Sequence, residues 1–159
     1  MQSPFPHLLE EFVVVTAPME RVERVITDEA LMKRWMSPAV QFTPLDGWQF
    51  ERGARWRLRL TGVGPLLEAG YVVVERRPGL VLWAFDGFWE GFDAWQWLPW
   101  QERSDQTLIH NRVEYRLRVP GLDLIWPLTV APLMKLDAQA QMVRLRQICE
   151  QREAVQFQP

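Results

Sequence analysis

One cysteine and two histidines are all that this 159-residue chain offers of the residues that most often build disulfides, metal sites and nucleophilic dyads. A lone thiol excludes an intrachain disulfide framework. Cys149 falls on an apolar row of the last predicted helix, where a buried, inert thiol is the ordinary outcome. His7 sits near the N-terminus and His110 on the outward register of a strand, without ligand spacing, so no metal is expected. The same scarcity removes the base that Ser-His or Cys-His hydrolases require, and no glycine-rich loop offers its amides to a phosphate. No cofactor is expected.

An excess of charge of one sign is also missing. The net charge is −2 and the signs are mixed along the chain, so there is no basic footprint for nucleic acid. Long apolar runs are absent as well. The greasiest stretch, 122–134, opens with Leu122 and closes with Met134, but Asp123, Pro127 and Pro132 interrupt it and it is too short to span a bilayer. Transient membrane or protein contact is what remains open to it. The beginning, MQSPFPHLLEEF, has neither the basic n-region nor the apolar core of a signal peptide. A cytoplasmic protein without an integral membrane segment is expected.

What is present is an apolar fraction of 48% and nine tryptophans. A chain of this length forms one domain, residues 1–159, and removes about 70% of its unfolded surface from water. Large flat side chains suit a wide apolar interior that two neighbouring elements cannot fill alone.

Residues 10–16, EEFVVVT, read as a short β-branched strand. Pro18 then opens the helix MERVERVI, because a proline lacks only an N–H that has no intrahelical partner in the first turn. Thr27 and Asp28 cap a second short helix, EALMKRWM, which Ser37-Pro38 ends. From Val40 the pattern becomes period two. Trp56, Leu58 and Leu60 alternate with Arg55, Arg57 and Arg59, so the first three face inward. Gly62-Val63-Gly64-Pro65 turns the chain into a strand over 67–75, with Gly70 as its bulge or close-approach point. Arg77-Pro78-Gly79 is the next turn, glycine supplying a positive φ. Strands over 80–86 and 92–98 follow. Their facing is ambiguous, since LVLWAF is apolar on both sides; Trp95 and Trp97 are taken as inward. The last strand, 107–119, separates inward Ile109, Asn111, Val113, Tyr115 and Leu117 from outward His110, Arg112, Glu114, Arg116 and Arg118.

The final helix, 132–152, is the longest element. Lys135, Gln139, Arg146 and Glu150 share its solvent sector. The opposite sector carries Leu133 and Ile148 at its ends and Asp137, Gln141 and Arg144 between them. Apolar rows flank this line, Met134, Ala138, Met142, Leu145 and Cys149 on one side, Leu136, Ala140 and Val143 on the other. Both shoulders are expected to pack against the sheet while the polar centre line overhangs a cavity. The class is therefore α+β, with a seven-stranded antiparallel sheet that must curl round the only helix long enough to cover it.

The run VVVTAPMERVERVITDEALMKRWM, a strand, then Ala17-Pro18 opening a helix, then Trp35, resembles the opening of the START-related superfamily. That superfamily, also called SRPBCC, includes polyketide cyclases, lipid-transfer proteins and plant pathogenesis-related proteins. FDAWQWLPW, DQTLIHNRVEYRL and the amphipathic last helix resemble its closing elements, so the likeness covers nearly the whole chain. The resemblance implies the helix-grip fold, a sheet wrapped about the C-terminal helix with a deep cavity between. It implies no particular reaction, because the superfamily binds or transforms very different apolar molecules.

The expected ligand-facing residues are Asp137, Gln141 and Arg144 on the helix, spaced to hydrogen-bond one another as well. Asn111 and Tyr115 join them from the last strand, and Trp56, Trp95 and Trp97 form apolar walls. Asp93 shares the Trp95 register, either at the mouth or as a solvated strand-end carboxylate. Three functions remain open. One is binding or transport of a lipid, quinone, isoprenoid or polyketide-like molecule. Another is a cyclase or dehydratase in which Arg144 polarises a ketone while Asp137 or Tyr115 moves a proton. The third is a protein-interaction module presenting 122–134, a connection expected to line the entrance and to pack less firmly than the sheet.

Overall fold

A computed structural model describes residues 4–62 and 67–151. Strand β1 (His7–Val15) leads into α1 (Met19–Thr27) and α2 (Glu29–Trp35), followed by β2 (Val40–Pro44), β3 (Arg55–Leu60), β4 (Glu68–Arg77), β5 (Leu80–Gly87), β6 (Trp89–Trp100) and β7 (Arg103–Leu117). A short α3 (Leu122–Ile125) and a 3-10 turn (Trp126–Leu128) then deliver the chain to α4 (Val130–Glu150). The seven strands form one curled antiparallel sheet in the order β1-β7-β6-β5-β4-β3-β2. A meander produces every neighbour except β1, which pairs with β7 and sets Val13 opposite Ile109. The turn expected at 62–65 lies largely outside the described residues.

Local chemistry explains the elements. Asp28 accepts a hydrogen bond from the Leu31 amide at 3.0 Å and so caps α2. Gly79 takes φ +80° in the turn between β4 and β5, a conformation that a side chain would oppose. Period two puts Trp56 and Leu58 in the core and leaves Arg55, Arg57 and Arg59 outside, where Asp46 pairs with Arg55 and Glu68 with the other two. Such exposed pairs add little stability. Their effect is to keep the convex face polar.

The structure resolves the facing of β5 and β6. Val81, Trp83 and Phe85 point inward from β5, and Trp89, Gly91, Asp93, Trp95 and Trp97 form the inward row of β6. At Gly91 a Cβ would come within 1.9 Å of the Glu114 carbonyl, so β7 lies directly against that glycine. The bulge in β4 falls between Val73 and Glu75 rather than at Gly70. Gly70 meets only ordinary van der Waals contact.

Helix α4 begins two residues before the expected Pro132, which sits in its first turn, where proline is tolerated. Met142, Leu145, Ile148 and Cys149 are buried, and the helix leans on β1, α1 and α2. The other expected packing row is not packed: Leu136 and Val143 are 63% and 56% exposed, and Ala140 is exposed beside them. Because α4 rests on one margin of the sheet and on the two short helices, its second shoulder has nothing to lie against. The space left over the rest of the sheet is the cavity.

Candidate functional site

The cavity measures about 420 Å³, within the range of roughly 300–1,000 Å³ typical of small-molecule sites. Trp83, Val81 and Tyr71 line its sheet side, Trp35 and Met32 of α2 close one flank, and Met134, Asp137, Ala138 and Gln141 of α4 cover it. Trp126 and Val130 form the wall nearest the connection that leads into α4. The inward period-two rows of the strands thus supply an aromatic surface, and the overhanging helix supplies the polar line.

Four of the eight expected ligand-facing residues line this space: Asp137, Gln141, Asn111 and Trp95. The other four do not. Arg144 turns to α2 and donates from Nε to the Trp35 carbonyl at 3.1 Å, one of the terminal carbonyls that a helix leaves without an intrahelical donor. Tyr115 is buried behind the wall, where its hydroxyl accepts from Trp126 Nε1 at 3.0 Å. Trp56 is locked into a cluster with Phe42, Trp48, Phe50 and Trp83, its Nε1 donating to the Gln49 carbonyl. Trp97 is fully buried with the Arg76 guanidinium over its ring. The expected Asp137–Gln141–Arg144 ladder does not form either: Gln141 reaches Met36 Sδ at 3.8 Å instead. Helical spacing aligned the three on one face, but that face passes from the cavity at residue 137 to the end of α2 at residue 144.

Asp93 is the group whose part the sequence reading understated. It lies on the cavity wall rather than at a solvated strand end. Asn111 Nδ2 donates to Asp93 Oδ1 at 2.6 Å and to the Ala94 carbonyl at 3.2 Å. Burial pushes the carboxyl up to about 7, against the opposing pull of its hydrogen bonds from Asn111 and Trp95. Asp93 lines the cavity and keeps part of its surface accessible. Tyr71 is also raised well above the ordinary phenol value, first by burial and then by the Asp93 charge. It lines the cavity at 4% exposure and makes no hydrogen bond among the described residues. Trp89, another lining residue, has a buried Nε1 without a partner among the described residues. The sequence signal for Asp93 was its place in the period-two row of Trp89, Gly91, Trp95 and Trp97.

The two histidines sit away from this wall. His7, on the inward row of β1, stacks on Tyr115 and its Nε2 contacts Asp123 at 3.2 Å, while His110 Nε2 contacts Glu10 at 2.8 Å on the convex side. Among the described residues no three His, Cys, Asp or Glu side chains are grouped to hold a metal ion, and no helix is long and apolar enough to cross a membrane.

A sheet curled beneath a long terminal helix, enclosing an aromatic cavity, defines a helix-grip protein. Residues 6–150 match the family model described as polyketide cyclase / dehydrase and lipid transport, and the chain belongs to that family, within the SRPBCC superfamily. No curated protein matches the sequence. Among solved structures, it is similar to protein CV1439 from Chromobacterium violaceum at 17% identity and a TM-score of 0.66, covering 92% of this chain and 100% of that one. TTHA0849 from Thermus thermophilus gives 19% identity and a TM-score of 0.62, covering 90% and 97%. Norcoclaurine synthase from Thalictrum flavum gives 14% and 0.58, covering 87% and 86%. At these identities the likeness is one of fold.

Proposed function

We propose that the protein binds or carries a small, mainly apolar molecule of lipid, quinone, isoprenoid or polyketide-like character in this cavity. The observation that carries this reading is a mainly aromatic and aliphatic lining that holds, besides Asp137 and Gln141 of α4, a polar group of Asp93, Asn111 and Tyr71 on the sheet side, with the tyrosine hydroxyl unbonded among the described residues. An apolar body gains by leaving water, and a single polar group on it fixes the orientation. Leu124 and Leu128, 81% and 84% exposed, continue the apolar surface outward beside the wall residues Trp126 and Val130. That continuity favours transient contact of 122–134 with a membrane or protein during loading. Native mass spectrometry after incubation with a lipid extract is the test. A retained adduct of discrete mass is expected, and a protein that stays free of adducts defeats the reading.

A cyclase or dehydratase is the second reading, and Asp93 favours it. A carboxyl that titrates near neutrality can both give and take a proton at working pH. In this version Asp93 moves the proton in place of Asp137 or Tyr115, and Arg144, bonded to the Trp35 carbonyl outside the cavity, does not polarise a ketone.

A further inference from the structure

The lining of the cavity is unbalanced in charge. Its titratable groups are Asp93 on β6, Tyr71 on β4 and Asp137 on α4, and no lysine, arginine or histidine lines it among the described residues. The side chains contributed by α1, α2, β1, β2, β3, β5 and β7 are all uncharged. On the inward row of β1 that carries the lining residue Leu9, Glu11 lies opposite Asn111 and His7 opposite Tyr115, so this row brings one carboxylate and one imidazole to this side of the sheet, the imidazole in contact with Asp123. Cations on the surrounding elements are engaged elsewhere: Arg144 donates to the Trp35 carbonyl, Arg21 to the Ile148 carbonyl, and Arg76 pairs with Glu23. A buried carboxylate without a cation is unfavourable, and an arriving cation would relieve it.

Aromatic rings crowd the same place. Trp83 is directly opposite Asp93 in the register of β5 and β6, Trp95 follows Asp93 in the same inward row, and Trp35 lies 5.2 Å from Trp95 between ring centroids. Indole faces attract a positive charge. Independently of the acids, Tyr71, a residue 4% exposed on the cavity wall, has a hydroxyl unbonded among the described residues, which is a polar group awaiting a partner from within.

We propose that the occupant is an amine: an apolar molecule whose protonated nitrogen pairs with the Asp93 carboxylate between Trp83 and Trp95, with Tyr71 as a further acceptor. This rests on the cavity being the ligand site and narrows the ligand's polar end. A carboxylate-headed lipid is selected against, because its charge would enter beside Asp93 and Asp137 without any cation to receive it.

The test is calorimetric titration at pH 8 with three probes on one skeleton, 2-(2-naphthyl)ethylamine, 2-(2-naphthyl)ethanol and 2-naphthylacetate, against the wild-type chain, Asp93→Asn and Asp137→Asn. The amine is expected to bind about tenfold or more tighter than the alcohol, with the acetate weakest. Asp93→Asn removes the amine's advantage over the alcohol, and Asp137→Asn reduces that advantage less. Amine affinity falls several-fold from pH 7.5 to pH 6 as Asp93 gains its proton, whereas alcohol affinity does not. An alcohol that binds as well as the amine, an acetate that binds tightest, or an amine advantage that survives Asp93→Asn overturns the amine assignment and leaves the apolar-ligand reading standing. Failure of all three probes to bind overturns both.

Discussion

Replacing Asp93 by asparagine should change how the stability of this protein depends on pH. The side chain keeps its shape and its acceptor for Asn111 Nδ2, which reaches the present carboxylate at 2.6 Å, but it no longer ionises. In the unfolded chain an aspartate titrates at 3.8, and in the fold burial carries Asp93 to about 7. Below pH 4 both states hold the proton and folding is unaffected. Between about pH 4 and 7 the unfolded chain has lost it while the folded chain retains it, so stability falls as pH rises through this window. Above 7 the loss is complete. A rise of roughly three pH units at about 1.36 kcal/mol each gives about 4 kcal/mol as a ceiling. Because Asp93 keeps part of its surface accessible, solvent screening reduces this to roughly 2–3 kcal/mol. Urea unfolding of wild type and Asp93→Asn from pH 4 to pH 8 measures it, and the difference isolates Asp93 from every other titrating group. With a slope of roughly 2 kcal/mol per molar urea, the variant should gain on the wild type by about 1–1.5 M in midpoint across the range. Parallel midpoints throughout would refute the reasoning, since they mean that Asp93 ionises at its ordinary pH in a well-hydrated place.

Four further outcomes are expected. Leu145→Ala, at a fully buried position, should lower stability by about 2–5 kcal/mol, while Leu136→Ala, 63% exposed one shoulder away, stays within about 0.5 kcal/mol; equal losses in thermal unfolding would mean that α4 is rotated. Arg144→Met removes the bond to the Trp35 carbonyl but also a buried Nη2 without a partner, so a net loss of about 1 kcal/mol is expected. Its retention of ligand should match that of Arg146→Met, and a selective loss in Arg144→Met would restore Arg144 to the cavity. Burial pushes the Cys149 thiol up to about 12, so iodoacetamide at pH 8 should label it only after unfolding; rapid labelling of the native protein contradicts that. Hydrogen exchange should reach the 122–129 connection before β7, because Leu124 and Leu128 are exposed there whereas β7 is paired on both sides.

The alternation of Trp56 and Leu58 with three arginines, the proline that opens α1, the aspartate cap of α2 and the length of α4 could all be read from the chain. Each is a short-range rule: period two, a missing N–H, an oxygen within reach of an amide two or three residues on, a helical repeat. The order of β2 to β7 followed because short turns permit little but a meander. The facing of β5 and β6 did not follow, because Leu80, Val81, Leu82 and Trp83 are apolar on both sides and only the arrangement of neighbours separates them. The bulge near Val74 was equally silent, lying inside a run of valines rather than at the glycine that local rules favour.

For the site, the chain itself determined that a polar line runs down an otherwise apolar helix, and that Asn111 and Trp95 share the inward side of their strands. Tertiary structure decided where that line ends. A helical face is defined by angle about an axis, so Asp137, Gln141 and Arg144 belong together in any helix. What lies opposite each depends on how the axis crosses its neighbours, and this axis carries Asp137 over the cavity and Arg144 past it to the last carbonyl of α2. Likewise Trp56, Trp97 and Tyr115 point inward as alternation requires, but depth of burial behind other aromatic rings is a property of three packed strands and a helix. The titration of Asp93 belongs to the same class of facts. Its place on an inward row is local, whereas its proton affinity depends on how much water is excluded by Trp83, Trp95 and the helix above, and no spacing along the chain encodes that.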